Sequence, residues 1–176
     1  MSVPHQRILL SSGEIEHRVR ELAAQIRKDI PDDLHLVAVL KGAFVFLADL
    51  VRFIPGEVSL DFVALSSYAA TTVSSGEVCL LKDLDTPLEG RHVVIVEDIV
   101  DTGRTLQYLQ TILQARRPAT LRTACLLTKP SRREVAVQLD YVGFSIPDHF
   151  VVGYGLDYSG QFRNLPHIAV VEAPGD

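Results

Sequence analysis

Residues 92–106 read HVVIVEDIVDTGRTL and carry the strongest fold signal in the chain. The apolar run at 92–96 is dense in β-branched residues, which predicts a strand buried on both faces of a parallel sheet. We expect this strand to stop at two adjacent carboxylates, Glu97 and Asp98. A polar turn follows, and a helical pattern begins at Leu106. This order is typical of a site that holds a phosphate beside hydroxyls or a metal, because a helix N-terminus presents unpaired N–H groups and a dipole that favours an anion.

The polar turn carries side chains that suit an anion. Thr102 and Thr105 supply hydroxyl donors, and Gly103 allows the backbone to approach a ligand closely. A blander interpretation is that Asp101 and the glycine only start the next helix, as an isolated D-x-G often does. Two carboxylates before the turn and two threonines within it favour the phosphate site.

Length and composition predict one domain over residues 1–176. Apolar residues make up 47% of the chain and charged residues 22%, as in soluble globular proteins. No apolar run approaches the ~20 residues of a membrane span, and no leader segment is evident, so we expect a cytoplasmic protein with no membrane partner. The net charge of −5 argues against a nucleic-acid partner, which needs a basic surface.

Two further residue groups have structural interpretations. Cys79 and Cys125 lie in apolar, strand-like runs and are expected to be buried free thiols. No Cys/His spacing in the sequence suggests zinc. The basic pairs at 116–117 and 132–133 have no interleaved aromatic residues, and we interpret both as solvated surface.

Hydrophobic periodicity predicts an alternation of helices and strands. Ser11 and Glu14 form a capping box, which begins a helix that ends near Pro31. Helices are also predicted at 43–53 and 106–115, and strands at 35–40, 58–65, 78–81, 92–96, 121–128, around 141–143 and at 168–171. The alternation predicts an α/β fold with a doubly wound, mostly parallel sheet flanked by helices.

Charged residues collect at the carboxyl ends of the predicted strands. Lys41, Glu97, Asp98 and Lys129 each fall at such an end. Ligands of α/β folds bind at that edge of the sheet, so the convergence predicts a site there. Each lysine taken alone is more often a solvated turn residue.

Residues 66–77, SSYAATTVSSGE, have little potential to join a core. Small residues, hydroxyls and a glycine predict a mobile surface loop. One interpretation is a long hairpin connection to the strand at 78–81. The other is a lid that closes over a reacting sugar and excludes water.

The motif VVIVEDIVDTGRTL at 93–106 resembles the phosphoribosyl diphosphate (PRPP) binding motif of type I phosphoribosyltransferases, and most of all that of the hypoxanthine-guanine branch. The resemblance extends from about residue 40 to 168. It implies the type I phosphoribosyltransferase fold, with a small hood built from the N- and C-terminal segments and a flexible lid at about 66–77. It also implies purine salvage, in which phosphoribosyl passes from PRPP to hypoxanthine or guanine and gives IMP or GMP plus pyrophosphate.

The resemblance implies roles for individual residues. The residues implied to bind PRPP and its phosphates are Lys41, Gly42, Ser67, Tyr68, Glu97, Asp98, Asp101, Thr102, Gly103, Arg104, Thr105 and Arg163. Those implied to bind the purine are Lys129, Phe150, Val151 and Asp157. Those implied to hold the cofactor, Mg²⁺, are Glu97, Asp98 and Asp157. In the family, the Leu-Lys-Gly loop at 40–42 works through an unusual cis peptide, which a sequence cannot reveal.

Several implied roles make chemical sense. A lysine at 129 suits the exocyclic oxygen of a 6-oxopurine and would repel the amino group of adenine. The planar fork of Arg163 fits pyrophosphate. Asp101 is our candidate general base for the proton on the purine's imidazole nitrogen, and the alternative is a carboxylate that caps the following helix. Phe150 is implied to stack on the purine, although an aromatic residue beside valines is by default ordinary core.

Two other functions stay open. A PRPP-sensing regulatory RNA-binding protein on the same fold would need a basic surface, which the acidic composition does not promise. A phosphoribosyltransferase for another base is the second alternative; Lys129 argues against adenine, and nothing separates xanthine from hypoxanthine and guanine. The expected partners are PRPP, a 6-oxopurine and further copies of the chain in a homodimer or homotetramer.

Overall fold

Helices and strands alternate through residues 6–67 and 78–171, the part of the chain that the computed structural model describes. The elements are β1 (Gln6–Leu10), α1 (Ser12–Asp29), β2 (Leu34–Leu40), α2 (Phe44–Phe53), β3 (Ser59–Ser67), β4 (Val78–Lys82), β5 (His92–Val100), α3 (Arg104–Gln114), β6 (Thr120–Thr128), a 3₁₀ turn (Pro130–Arg132), β7 (Tyr141–Ser145), β8 (Val151–Val152) and β9 (Ile168–Val171). The predicted α/β class is confirmed.

A six-stranded sheet in the order β4-β3-β2-β5-β6-β7 forms the centre of the fold. All neighbouring strands run parallel except β4, which pairs antiparallel with β3 at one edge. The apolar part of β5, residues 93–96, lies between β2 and β6 and is fully buried. This confirms the mostly parallel sheet, with the 92–106 stretch at its middle.

Successive strand residues face opposite sides of the sheet. Leu36 and Val94 join a hydrophobic cluster with α1 and α2, whereas Val37 and Ile95 join a second cluster with Leu109 of α3. All five side chains are fully buried. The sheet is therefore covered by helices on both faces, as the doubly wound prediction requires.

Helix α1 begins with the predicted capping box and protects one edge of the sheet. The Glu14 N–H donates to Ser11 Oγ at 3.3 Å, and the Ser11 N–H donates to Glu14 Oε2 at 2.8 Å. Further along, the Arg18 guanidinium donates to the carbonyl oxygens of Val142 and Gly143 in edge strand β7, at 2.7 and 3.1 Å. These bonds occupy carbonyls that an edge strand otherwise exposes.

A second, antiparallel sheet in the order β1-β9-β8 joins segments from near both ends of the chain. Ile8 pairs with Ala169, and Val151 pairs with Val170. These are the segments from which a hood was expected. The sheet fixes the backbone next to Phe150, because Val151 begins β8 directly after that residue.

The predicted end of the central strand is wrong. Instead of stopping at Glu97, β5 continues to Val100. The reason is its parallel neighbour β6, which pairs Glu97 with Cys125 and Val100 with Thr128. The acidic pair therefore lies within a strand, with the backbone held by the sheet rather than by a turn.

The predicted lid falls largely outside the described residues, since 68–77 are not described. The strands that flank it pair as a hairpin, with Ser67 opposite Val78. Both thiols are free: Cys125 is buried as predicted, whereas Cys79 is only half-buried. None of the helices in the described ranges is long and apolar enough to cross a membrane.

Candidate active site

Glu97 and Asp98, the acidic pair on β5, are both withdrawn from solvent, Glu97 more than Asp98. Glu97 is 6% exposed and Asp98 is half-buried. Within 6–67 and 78–171, neither carboxylate forms an ion pair; the Ile99 N–H donates to Asp98 Oδ1 at 2.7 Å. Burial raises the pKa of Glu97 well above its usual range, and the neighbouring Asp98 charge adds to this. A nearby cation or hydroxyl donors would therefore stabilise the ionised form of this pair.

Burial also raises the pKa of Asp98, to about 6, although backbone N–H donors and the Arg163 charge oppose the rise. The Asp98 carboxylate packs directly on the backbone of Gly42. A Cβ added to Gly42 would lie 1.6 Å from Asp98 Oδ2. Only glycine at this position leaves room for the carboxylate.

The loop after β2 meets a loop from the far end of the chain. Gly155 has φ +99°, and a Cβ there would lie 2.3 Å from the Gly42 carbonyl oxygen. The Leu40–Lys41 peptide bond is cis, as the resemblance implied, and the Lys41 side chain is exposed. Gly42 is thus held between Asp98 on one side and Gly155 on the other.

The polar turn after β5 opens into the same cavity as the acidic pair. Gly103 is the N-cap of α3 in the left-handed conformation, φ +89°, and the side-chain contact to the first turn comes from Thr102, whose Oγ1 accepts from the Arg104 N–H at 3.4 Å. The alternative role for Asp101, that of a helix cap, is therefore not what the structure has. The cavity measures about 260 Å³ and is lined by Val39, Leu40, Gly42, Leu65, Glu97, Asp98, Ile99, Val100, Asp101, Thr102, Gly103, Thr105 and Leu106.

Asp157 and Arg163, implied to hold magnesium and pyrophosphate, are paired with each other. Arg163 Nη2 lies 2.7 Å from Asp157 Oδ1, and Nη1 donates to the Gly155 carbonyl at 2.6 Å. The Gly160 N–H donates to the other oxygen of Asp157 at 2.7 Å. Both charges act on Asp98, which puts this pair beside the acidic strand rather than in a separate region.

The residues implied to bind the purine lie on the other side of the turn. Lys129 is 7% exposed. Its backbone N–H donates to the Val100 carbonyl at 3.0 Å, and its side-chain ammonium lies 3.4 Å from Asp148 Oδ1. Phe150 is 53% exposed, so its default interpretation as a core residue is wrong. Its ring meets Tyr158 edge-on, with centroids 5.7 Å apart. Tyr158 is an aromatic contact that no pattern in the sequence indicates.

We expected the basic pair at 132–133 to be solvated surface; Arg132 is exposed as expected, whereas Arg133 is half-buried. Arg132 Nε lies 3.1 Å from Asp101 Oδ1. Arg133 lies beneath the turn, where Nη2 donates to Thr128 Oγ1 at 2.6 Å and the Cδ is 3.1 Å from where a Cβ on Gly103 would be. Spacing alone could have drawn attention to both, because they follow the Lys-Pro end of β6 by only a few residues.

Three further predictions have partial outcomes. Arg104 is exposed and pairs with Glu134 at 2.6 Å, and it is not part of the cavity lining. Tyr68 lies outside the described residues, and the Ser67 side chain is likewise not described. Among the residues that are described, no three His, Cys, Asp or Glu side chains converge as a metal cage.

Comparison with known proteins agrees with this geometry. The phosphoribosyl transferase domain family matches residues 5–159. The hypoxanthine-guanine phosphoribosyltransferase of Bacillus subtilis (strain 168) is 46% identical over 168 residues, which cover 95% of this chain and 93% of that protein.

Solved structures give the same result. A hypoxanthine-guanine phosphoribosyltransferase from Bacillus anthracis, with a HEPES molecule in its active site, superposes with a TM-score of 0.89 at 46% identity and covers 94% of this chain and 98% of its own. A hypoxanthine phosphoribosyl transferase from Trypanosoma cruzi gives a TM-score of 0.90 at 42% identity, with 98% and 94% covered.

Proposed function

Because this chain belongs to the phosphoribosyltransferase family, we propose that it serves purine salvage and transfers the phosphoribosyl group of PRPP to hypoxanthine or guanine, giving IMP or GMP and pyrophosphate. The observation that carries the proposal is a single cavity. Two carboxylates that form no ion pair among the described residues, the buried Glu97 and the half-buried Asp98, open into the same space as a helix N-terminus and its glycine turn. Such a space suits a ligand that has hydroxyls at one end and a phosphate at the other.

The ribose and its 5′-phosphate would occupy this cavity. Backbone N–H groups and hydroxyls of the turn at 102–105 would hold the phosphate at the start of α3. Glu97 and Asp98 would accept hydrogen bonds from the ribose hydroxyls, which offset the cost of burying their charge. The sugar would then be fixed with its anomeric carbon towards the incoming base.

The leaving pyrophosphate would be held on the side of Gly42. Loss of pyrophosphate from the anomeric carbon leaves an oxocarbenium-like centre, so the negative charge of the leaving group has to be stabilised. Lys41 and Arg163 would supply cationic donors there, and Ser67 and Tyr68 on the lid would exclude water. Arg163 would exchange its bonds to Asp157 and the Gly155 carbonyl for phosphate oxygens.

Magnesium fits the residues of this site. Glu97, Asp98 and Asp157 offer the hard oxygen ligands that Mg²⁺ prefers, and burial together with the Asp98 charge disfavours the ionised form of Glu97 unless a cation is near. The ion commonly keeps several waters and uses one or two carboxylates together with substrate phosphates, so a complete protein cage is not required. When bound, it would neutralise charge on the pyrophosphate.

The purine would lie between the turn and β8. Phe150, which exposes half of its side chain, would stack on the ring, and the backbone of Val151 would read the base edge. Lys129 would donate to the exocyclic oxygen of a 6-oxopurine. Asp101 would take the proton from the imidazole nitrogen as the new glycosidic bond forms.

The proposal includes a cytoplasmic location and a homodimer or homotetramer. Free thiols at Cys79 and Cys125 support the location, because reducing compartments keep cysteines unpaired. Exposed apolar side chains on β1, α2 and β4 would supply contact surface for self-association; Ile8, Phe44 and Leu81 are 57, 43 and 68% exposed. Light scattering of the purified protein would measure the oligomeric state.

One assay tests the proposed reaction. The protein is incubated with PRPP and Mg²⁺, each of hypoxanthine, guanine, xanthine and adenine is added in turn, and pyrophosphate and nucleotide are measured. We expect turnover with hypoxanthine and guanine, none with adenine, and none when the metal is chelated. Absence of pyrophosphate release with every base would overturn the proposal and favour a PRPP-sensing regulatory protein.

A further inference from the structure

Arg132 stands between two carboxylates from different parts of the fold. Its Nε lies 3.1 Å from Asp101 Oδ1, and its Nη1 lies 3.7 Å from Asp148 Oδ2. The other oxygen of Asp148 lies 3.4 Å from the ammonium of Lys129. The charges therefore alternate along a chain from Asp101 through Arg132 and Asp148 to Lys129. Its two ends are the candidate general base and the candidate donor to the purine oxygen.

The backbone around Arg132 is hydrogen-bonded to the polar turn after β5 and to the end of that strand. The Glu134 and Val135 N–H groups donate to the Thr102 carbonyl at 2.9 and 3.2 Å, and the Lys129 N–H donates to the Val100 carbonyl at 3.0 Å. These bonds fix the path of the chain on both sides of Arg132 relative to the turn. The backbone of Arg132 is therefore held in a defined position, from which the guanidinium contacts Asp101.

The ion pairs of Arg132 are poorly suited to stabilising the fold. The side chains of Arg132, Asp101 and Asp148 are 49, 41 and 51% exposed, and exposed pairs contribute little to stability. Arginine's planar fork can nevertheless bond two carboxylates at once in a fixed geometry, which a lysine ammonium cannot do as well. The arrangement is therefore better explained by orientation than by stability.

We propose that Arg132 is a positioning residue that sets the distance between the proton acceptor and the purine-oxygen donor. It holds one oxygen of Asp101, which leaves the other oxygen free to face the purine's imidazole N–H. Through Asp148, Arg132 also restrains Lys129. The imidazole N–H and the exocyclic oxygen of the purine can then contact Asp101 and Lys129 at the same time. The inference rests on the proposed function, since it assigns Arg132 to the same reaction.

The test compares two arginine variants. In Arg132→Gln, we expect kcat to fall about tenfold because the general base loses its fixed orientation, while KM for PRPP stays within about twofold. Arg132→Lys keeps the charge without the fork and should recover part of the loss. The control is Arg117→Gln, which removes another exposed ion pair, with Glu89 at 3.0 Å, next to the amino end of β6; it should leave kcat unchanged.

A double-mutant cycle separates positioning from a general structural effect. If Arg132 acts through Asp101, Arg132→Gln should cause no further loss of kcat in an Asp101→Asn background, measured at high enzyme concentration. A tenfold loss that persists in that background would overturn the proposal. So would an unchanged kcat in Arg132→Gln, or equal losses in the Arg132 and Arg117 variants. Wild-type protein without turnover on any base would instead overturn the proposed function, and this inference with it.

Discussion

Asp61 and Glu97 are two carboxylates of the same sheet that are almost equally buried, 5% and 6% exposed, yet their surroundings differ. Asp61, near the amino end of β3, accepts from the N–H groups of Phe62, Asp85 and Thr86 at 2.7, 2.7 and 3.0 Å. Lys82 lies 3.8 Å away. Glu97, towards the carboxyl end of β5, has Asp98 as its charged neighbour instead.

The two carboxyls consequently differ in the direction of their pKa. Burial alone would raise the pKa of Asp61, but the three backbone donors and Lys82 outweigh it, so this pKa is lowered. Burial raises the pKa of Glu97, and Asp98 raises it further. The Asp61 carboxylate is stabilised by its donors at the amino edge of the sheet, whereas the Glu97 carboxylate at the carboxyl edge is destabilised by its surroundings. The amino edge should therefore govern stability, and the carboxyl edge should govern turnover.

The largest effect should come from Asp101→Asn, which removes a carboxylate at the carboxyl edge. We expect kcat to fall by about a thousandfold, because the amide cannot take the purine proton, with the fold unchanged. PRPP binding, measured by calorimetry, should change much less. Retained turnover would show that Asp101 is not the general base.

Gly42→Ala should have the next largest effect on activity. The new Cβ would fall 1.6 Å from Asp98 Oδ2, so the acidic strand or the loop has to shift, and we expect kcat/KM for PRPP to drop by about a hundredfold. Gly13→Ala is the matched control, because a Cβ there meets no atom within 4 Å. Equal activity in the two variants would mean that the contact with Asp98 does not matter.

Asp61→Asn tests the other edge. The amide cannot accept all three backbone bonds without placing its NH₂ against a donor, so we expect a loss of about 2 kcal/mol in the free energy of unfolding at pH 7. Since the folded pKa of Asp61 is lowered, its contribution is present above about pH 4 and disappears as the pH falls through the folded pKa. The difference from wild type in urea titrations should therefore narrow in acid; a constant difference would contradict this account.

Glu97→Gln should have the smallest effect and the opposite sign. Since the folded pKa of Glu97 is raised, the ionised form destabilises the fold above that pKa, and the penalty vanishes as the pH falls towards about 4. We expect the variant to gain about 1 kcal/mol at pH 8, to gain nothing near pH 4, and to bind PRPP more weakly. If Glu97→Gln were less stable than wild type at pH 8, Glu97 and Asp61 would not have opposite effects on stability, and this account would be wrong.

Local patterns were enough to predict most of the fold. The capping box at Ser11 and the buried run at 92–96 depend on neighbours only a few residues away, and both appear in the structure as predicted. The end of β5 was mispredicted because its continuation depends on pairing with β6, which is distant in sequence. Phe150 was ambiguous for a similar reason, since its exposure is set by the loop geometry before β8.

The sequence by itself determined the order of the elements, the polar turn after β5 and the acidic pair, because hydrophobic period and turn chemistry are local properties. Only the tertiary structure decided which of the charges are satisfied. The contact of Gly42 with Asp98 joins residues far apart in the chain, and the same is true of Arg132 with Asp101. A charge is neutralised, or left for a ligand, by the groups that folding brings around it, and those groups come from other strands and loops.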